Sequence, residues 1–283
     1  MSDLRTSGAP PNLADQPGPP GTLHKGFTAH NVRLDDGTET FPAIGWTIDQ
    51  SSVLHSVRRV LDLTYPTGLN GKSIVDLGCL EGGFTAEFAR LGMEATGIEA
   101  RESNYQNCLT VKAGINLPNL KFIRDDANNV ARYGPFDAAF VCGLLYHLDK
   151  PREFLASLSQ VCRRVLFLQT HVARAESTEA IQRHSLSDIC EHEGLKGRWY
   201  PEYGDVSTEQ LDLMKWRSWA NPRSFWIQKE YLLQLVRDLG FDIILEQFDF
   251  LGDIAFEMTA GTYKAEDRNL IVGIRSKDLV PQV

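Results

Sequence analysis

The chain has no run of apolar residues long enough to cross a bilayer. The longest, Ala138–Tyr146, is well under the roughly 20 residues a transmembrane helix needs. Its start lacks a basic-then-apolar leader, so the expected compartment is the cytosol. Cysteine is sparse, with five among 283 residues, and none stands in a C-x-x-C pair. An odd count, with Cys142 and Cys162 bordering apolar strand-like runs, excludes a disulfide framework and predicts reduced, mostly buried thiols. Positive charge is in short supply: 29 Lys and Arg against 37 Asp and Glu give a net charge of −8. That balance argues against a broad grip on nucleic acid. There is no internal repeat. The spacing of His184, Cys190, His192 and Glu193 matches no structural zinc pattern, so no metal is expected. What remains is ordinary globular usage, 42% hydrophobic and 23% charged, at a length that buries a full core.

Residues 1–25, rich in Gly and Pro, cannot bury enough apolar surface to offset their conformational entropy and are expected to be a disordered tail. Residues 26–70 read as an N-terminal extension ending in a helix over Ile48–Leu63, where Val53, Leu54, Val57, Val60 and Leu61 share one face. Residues 71–283 read as one domain. Strands are predicted at Ser73–Leu77, Ala95–Glu99, Asn119–Arg124, Phe136–Cys142 and Val165–Thr170, with helices at Phe84–Leu91, Ser103–Val111 and Pro151–Val161 between them. This alternation predicts a doubly wound α/β sheet, mostly parallel. An insertion over 171–222 interrupts the rhythm. A helix over Phe225–Leu239 and strands at Phe241–Gln247 and Leu270–Arg275 then predict an antiparallel finish to a sheet of seven strands.

The sharpest motif is Ser73-Ile-Val-Asp-Leu-Gly-Cys-Leu-Glu-Gly-Gly83, which ends a strand and opens a helix. Small residues there let backbone N–H groups approach a ligand at the helix N-terminus. Twenty-one residues after Gly78 stands Glu99, at the end of the next strand. A carboxylate at that point can accept both hydroxyls of a ribose across the crevice where strand order reverses. Leu80 occupies the middle glycine of a dinucleotide fingerprint and would crowd a pyrophosphate, so the loop favours a nucleoside without a diphosphate bridge.

With these residues in place, the chain resembles the class I S-adenosylmethionine (SAM)-dependent methyltransferases over roughly residues 48–275. Asp76-Leu-Gly-Cys-Leu-Glu-Gly matches the family's acid-x-G-x-G-x-G loop, Leu80 excepted, and Glu99 matches its ribose-binding acid. Asp125-Asp126-Ala127 matches the acidic site at the adenine. Phe136-Asp-Ala-Ala-Phe-Val-Cys-Gly-Leu-Leu-Tyr-His-Leu148 matches the fourth strand and the loop beneath the cofactor. The resemblance implies a Rossmann-like methyltransferase fold with an antiparallel C-terminal hairpin. It implies SAM as cofactor, held by Asp76, Gly78, Cys79, Glu99, Asp125 or Asp126, and Cys142 or Gly143. Tyr146 and His147 fall where the activated methyl group should lie, and His171 beyond the fifth strand is a second candidate base. The segment Leu144-Leu-Tyr-His-Leu148, with Phe225-Trp226, is also similar to the tRNA wobble-uridine carboxymethyltransferases, which use carboxy-SAM.

Four of the five tryptophans lie between residues 199 and 226. Trp199, Tyr200, Tyr203, Trp216 and Arg198 are therefore the candidate acceptor-binding residues, since aromatic faces suit a sugar ring, a planar acceptor or a cation. Nine acidic against six basic residues within 171–221 argue against a polyanionic acceptor. The expected function is methyl transfer from SAM to an oxygen or nitrogen of a small-molecule acceptor, a sugar or a secondary metabolite. The alternatives are an RNA-directed methyl or carboxymethyl transferase and a non-catalytic SAM-binding scaffold.

Overall fold

A computed structural model describes residues 26–174, 184–247 and 268–277. The stretch 1–25, with its expected disorder, lies outside the described residues. So do 175–183 and 248–267.

The strands form around short apolar runs, which are unbroken where both faces are covered, as over Ala138–Val141 and Val165–Leu168. They are β1 (Ser73–Leu77), β2 (Glu94–Glu99), β3 (Leu120–Arg124), β4 (Phe136–Cys142), β5 (Cys162–His171), β9 (Ile243–Gln247) and β10 (Arg268–Ile274). Their order is β3-β2-β1-β4-β5-β10-β9 in one seven-stranded sheet. Pairing is parallel from β3 through β5, and β10 runs antiparallel to both β5 and β9. This is the expected Rossmann-like sheet with its antiparallel finish.

Alternate residues of the central strands feed two separate cores. Ile74, Phe140, Phe167 and Val272 pack beneath α1 (Ser52–Thr64), α2 (Gly83–Arg90) and α3 (Glu102–Gly114). Val75, Val141, Leu168 and Ile271 pack beneath α4 (Pro151–Val161) and α6 (Lys229–Asp238). Each such aromatic or aliphatic side chain stabilises the fold by about 1.5–3 kcal/mol when fully buried. Helix α1 is amphipathic as expected, burying Leu54, Val57, Val60 and Leu61 on one face. It starts later than predicted because Ile48–Gln50 forms a separate 3-10 turn, closed by the Thr47 amide on Gln50 Oε1 at 3.1 Å and the Gln50 amide on the Thr47 carbonyl at 2.8 Å. Phe27, Val32, Leu34 and Phe41 join the first core, and the segment before α1 is tied to α2 and α3, where Arg90 donates to the Arg33 carbonyl and the Asp35 amide to the Gly114 carbonyl.

The insertion differs most from expectation. Two of its segments, β6 (Cys190–His192) and β7 (Leu195–Pro201), pair antiparallel with each other, and β7 pairs antiparallel with β8 (Arg223–Ile227) just beyond the insertion, making a second sheet with short helix α5 (Thr208–Leu213) between β7 and β8. Phe225–Ile227, expected to open a helix, is therefore strand, and α6 begins only at Lys229. The reason is tertiary: Phe225 and Ile227 enter the α4–α6 core, and the Phe225 amide donates to the Leu148 carbonyl at 2.8 Å. That bond fastens the small sheet to the loop after β4. No helix among the described residues is long and apolar enough to cross a membrane.

Candidate active site

A cleft of about 350 Å³ opens over the C-terminal ends of β1, β2 and β4, where strand order reverses. Its floor is the glycine loop. Gly78 has φ +66°, and a Cβ there would meet the Leu144 side chain at 3.2 Å. Leu80, which stands where the motif has a glycine, nevertheless keeps a left-handed φ of 54°. That conformation costs a non-glycine residue roughly 1–2 kcal/mol, and here it is held from both sides. The Leu80 amide donates to Glu99 Oε2 at 3.0 Å, and its carbonyl accepts from Cys108 Sγ at 3.3 Å.

Glu99 is 7% exposed at the end of β2. Besides Leu80 it accepts from the Arg101 amide at 2.9 Å and from Asn104 Nδ2 at 3.5 Å. Its two oxygens keep acceptor capacity toward the cleft. Burial raises its pKa, opposed by those hydrogen bonds. Asp76 lies beneath it, accepting from Thr85 Oγ1 at 2.6 Å. Burial, reinforced by the nearby Glu99 charge, pushes Asp76 up to about 7, against the pull of Thr85.

That displacement has a consequence for stability. With a folded pKa near 7 and an ordinary value near 3.8, Asp76 keeps a proton on folding that the unfolded chain releases. Its contribution is therefore complete below pH 4, is lost as pH rises toward 7, and is flat above. The expected slope is about −1.4 kcal/mol per pH unit across that window. Asp76→Asn should flatten the dependence of unfolding free energy on pH between 5 and 7. An unchanged slope in denaturant titrations at several pH values would contradict it.

The structure separates the two adjacent acids. Asp126 lines the cleft and N-caps a 3-10 turn, accepting from the Asn128 amide at 2.8 Å. Asp125 is turned away: Tyr133, Asn129 and Arg132 surround its carboxylate, and the Tyr133 hydroxyl in particular holds its pKa down. Cys79, Cys142 and Gly143 line the cleft as well. All five cysteines are free thiols. Burial raises the pKa of Cys79, whose sulfur lies 3.8 Å from that of Cys108.

At the far end Tyr146 and His147 occupy a 3-10 turn after β4, their ring centroids 4.3 Å apart. Burial raises the Tyr146 pKa, so it is a neutral hydroxyl and cannot serve as a base near pH 7. His147 Nδ1 lies 2.8 Å from Glu202 Oε1. The Glu202 side chain is fully buried and also accepts from Ser224 Oγ at 2.8 Å and the Ser218 amide at 3.1 Å. His171 is the last residue of β5 and not beyond it. Its ring stacks on Trp226 at 4.8 Å, with Tyr146 edge-on at 4.7 Å, outside the set of residues that line the cleft.

Of the candidate acceptor residues, Trp216 alone reaches the cleft, on its rim and 57% exposed. Trp199 packs on Phe225 at 5.1 Å beneath the Arg223 guanidinium, away from the opening. Tyr200 takes a hydrogen bond from Arg217 and lies against Trp226, and Tyr203 likewise stays outside the lining. Arg198 is buried and donates to the carbonyls of Ser187 and Arg174, so it braces the small sheet. Among the described residues no group of three or more His, Cys, Asp or Glu side chains is placed to hold a metal ion.

Apart from Trp216, the residues that close the cleft from above and from the side were not among the sequence candidates. The segment Lys215–Asn221 roofs the cleft and hangs from Arg101, which donates to the carbonyls of Leu211 and Arg217 and lies over the Trp219 ring at 5.1 Å. From the other side come His30 and Trp46, carried by the segment before α1. The fully buried Glu81 carboxylate clasps that segment. It accepts from the amides of Thr28, Ala29 and His30 at 2.6, 3.0 and 2.8 Å, and pairs with Lys215 at 3.7 Å. Burial lowers the His30 pKa, which keeps the ring neutral so that Nδ1 accepts from the Gly83 amide at 3.0 Å.

Comparison with known proteins adds the following. A family model described as a methyltransferase domain matches residues 50–246. No curated protein matches the sequence. Among solved structures, the N-terminal domain of EvdMO1 with S-adenosylhomocysteine bound is similar, with a TM-score of 0.58 and 19% identity, covering 87% of this chain and 90% of that one. The same domain in the presence of S-adenosylhomocysteine and D-fucose gives a TM-score of 0.56 and 21% identity, covering 80% and 83%. The CurJ carbon methyltransferase gives 0.50 and 12%, covering 80% of this chain and 54% of that one.

Proposed function

Because this chain belongs to the methyltransferase-domain family, as a class I SAM-dependent enzyme, we propose that it transfers the methyl group to an oxygen or nitrogen of a small-molecule acceptor. The observation that carries the reading is one cleft with two chemically different ends. Carboxylates and a glycine loop stand at one end, and a histidine beneath an aromatic roof at the other.

The donor set fits SAM. Glu99 would receive the ribose hydroxyls, Asp126 the adenine amino group, and the Gly78 and Gly143 backbones would form the close walls, with Asp76 below. Bound there, SAM supplies an electrophilic methyl group on a sulfonium sulfur that leaves as a neutral thioether. The protein's own task is alignment of the acceptor and management of its proton. Tyr146 can donate a hydrogen bond, and His147 can accept the proton. Trp46 and Trp216, both partly exposed at the rim, offer flat faces to a ring. The EvdMO1 domain was crystallised in the presence of D-fucose, which makes a pyranose the first acceptor to try.

The test is calorimetric titration with SAM, S-adenosylhomocysteine and NAD, followed by incubation with methyl-labelled SAM and D-fucose or related sugars. Micromolar binding of the two adenosyl-sulfur ligands, no binding of NAD, and label in a low-molecular-mass product are expected. Folded protein that binds neither adenosyl ligand would overturn the proposal.

A further inference from the structure

We propose that Glu202 is a positioning residue that fixes His147 as a base through Nε2, and that the acceptor atom is accordingly the oxygen of a hydroxyl. This rests on the reading of the cleft given above. Glu202 stands 55 residues from His147 in the chain, and its Oε1 meets Nδ1 at 2.8 Å. A carboxylate only accepts, so Nδ1 must carry the hydrogen, and in the neutral ring Nε2 is left with the lone pair. The other two donors to Glu202 are the Ser224 hydroxyl and the Ser218 amide. Burying a carboxylate completely is costly, and a neutral side chain would pack the same space. What the carboxylate adds is the tautomer, and a negative charge beside the imidazolium that forms when the ring takes a proton.

That device suits a hydroxyl. A neutral amine already presents its lone pair and can shed its proton after transfer. A hydroxyl is a poor nucleophile until its proton departs. In the step this pair serves, the acceptor oxygen bonds to the methyl carbon while the carbon–sulfur bond breaks and its electron pair stays on sulfur. The hydroxyl proton passes to Nε2, and the imidazolium rests against Glu202 until that proton is lost to solvent.

The same geometry dictates the variant. In Glu202→Gln the Ser218 amide can only donate, so the carboxamide oxygen must face it. The NH₂ group then faces Nδ1 and the Ser224 hydroxyl, and the proton is driven from Nδ1 to Nε2 without loss of shape. Nitrogen-15 NMR of the imidazole rings in ligand-free protein is expected to show the Nδ1–H tautomer for His147 and the Nε2–H tautomer in Glu202→Gln. Nε2–H in the unaltered protein, or the same tautomer in both, would overturn the proposal.

With methyl-labelled SAM and D-fucose as probe, Glu202→Gln should lower kcat about 100-fold. S-adenosylhomocysteine affinity and acceptor KM should stay within about threefold, and combination with His147→Gln should lower kcat no further. Losses that add in full would break the pairing while leaving His147 as a base. Full activity of His147→Gln alone would instead remove the underlying reading of the cleft. The product should be an O-methyl ether, and an amino sugar methylated only at nitrogen would contradict the hydroxyl assignment.

Discussion

Glu99→Ala should weaken SAM and S-adenosylhomocysteine binding by about 100- to 1000-fold. A hydrogen bond to a charged group contributes about 1.5–3 kcal/mol; at about 1.5–2 kcal/mol each, two ribose hydroxyls on one carboxylate amount to about 3–4 kcal/mol, at 1.4 kcal/mol per tenfold. A second loss acts in the same direction. The carboxylate anchors the Leu80 amide at 3.0 Å and the Arg101 amide at 2.9 Å, and Leu80 sits in a left-handed conformation it would otherwise leave. Glu99→Gln keeps an acceptor of the same shape and should fall between the two extremes. Calorimetry with S-adenosylhomocysteine decides the matter without any acceptor: affinity unchanged in the alanine variant would end the assignment of Glu99 to the ribose.

His147→Ala should show the opposite profile. Turnover is expected to fall by about 10²- to 10⁴-fold, the usual contribution of a positioned base, while S-adenosylhomocysteine affinity stays within about twofold. The separation follows from where the ring is tied. Its Nδ1 belongs to Glu202, and its backbone carbonyl accepts from Asn221 Nδ2 at 3.0 Å. Neither contact reaches Glu99, Asp126 or the glycine loop. Single-turnover measurement of methyl transfer at saturating SAM would report the chemical step directly. Wild-type rates in that assay would leave His147 as a packing residue.

How much of this could be read beforehand varies from residue to residue. The central strands were legible because two-sided burial leaves unbroken apolar runs, as in Val165–Leu168, and the position of Glu99 was legible because its place at a strand end is a chain-local fact. Asp125 and Asp126 could not be ranked, since the choice turns on which acid caps the 3-10 turn that follows. Residues Gly197–Gly204 have the composition of a structured loop, yet Gly197–Pro201 belong to a strand because β6 and β8 flank them. That pairing also directs Trp199 onto Phe225 and leaves Trp216, on an unpaired segment, to reach the cleft. Glu202 carried no signal at all. Its meaning arises only when the chain closes the 55 residues that separate it from His147.

The Glu81 clasp bears on how the protein can be divided. The family match begins at residue 50, and a fragment cut there would look like a complete catalytic module. It would lack the three backbone amides and the Thr28 hydroxyl that satisfy Glu81, the His30 ring that caps the Gly83 amide, and the Trp46 face. A carboxylate stripped of those donors would sit at the start of α2, beside the glycine loop. Such a fragment should bind S-adenosylhomocysteine far more weakly than the whole chain; equal affinity would show that the boundary at residue 50 is real. For swapping or grafting, the exchangeable unit begins with the segment that holds Thr28, because the glycine loop and its clasp are one piece.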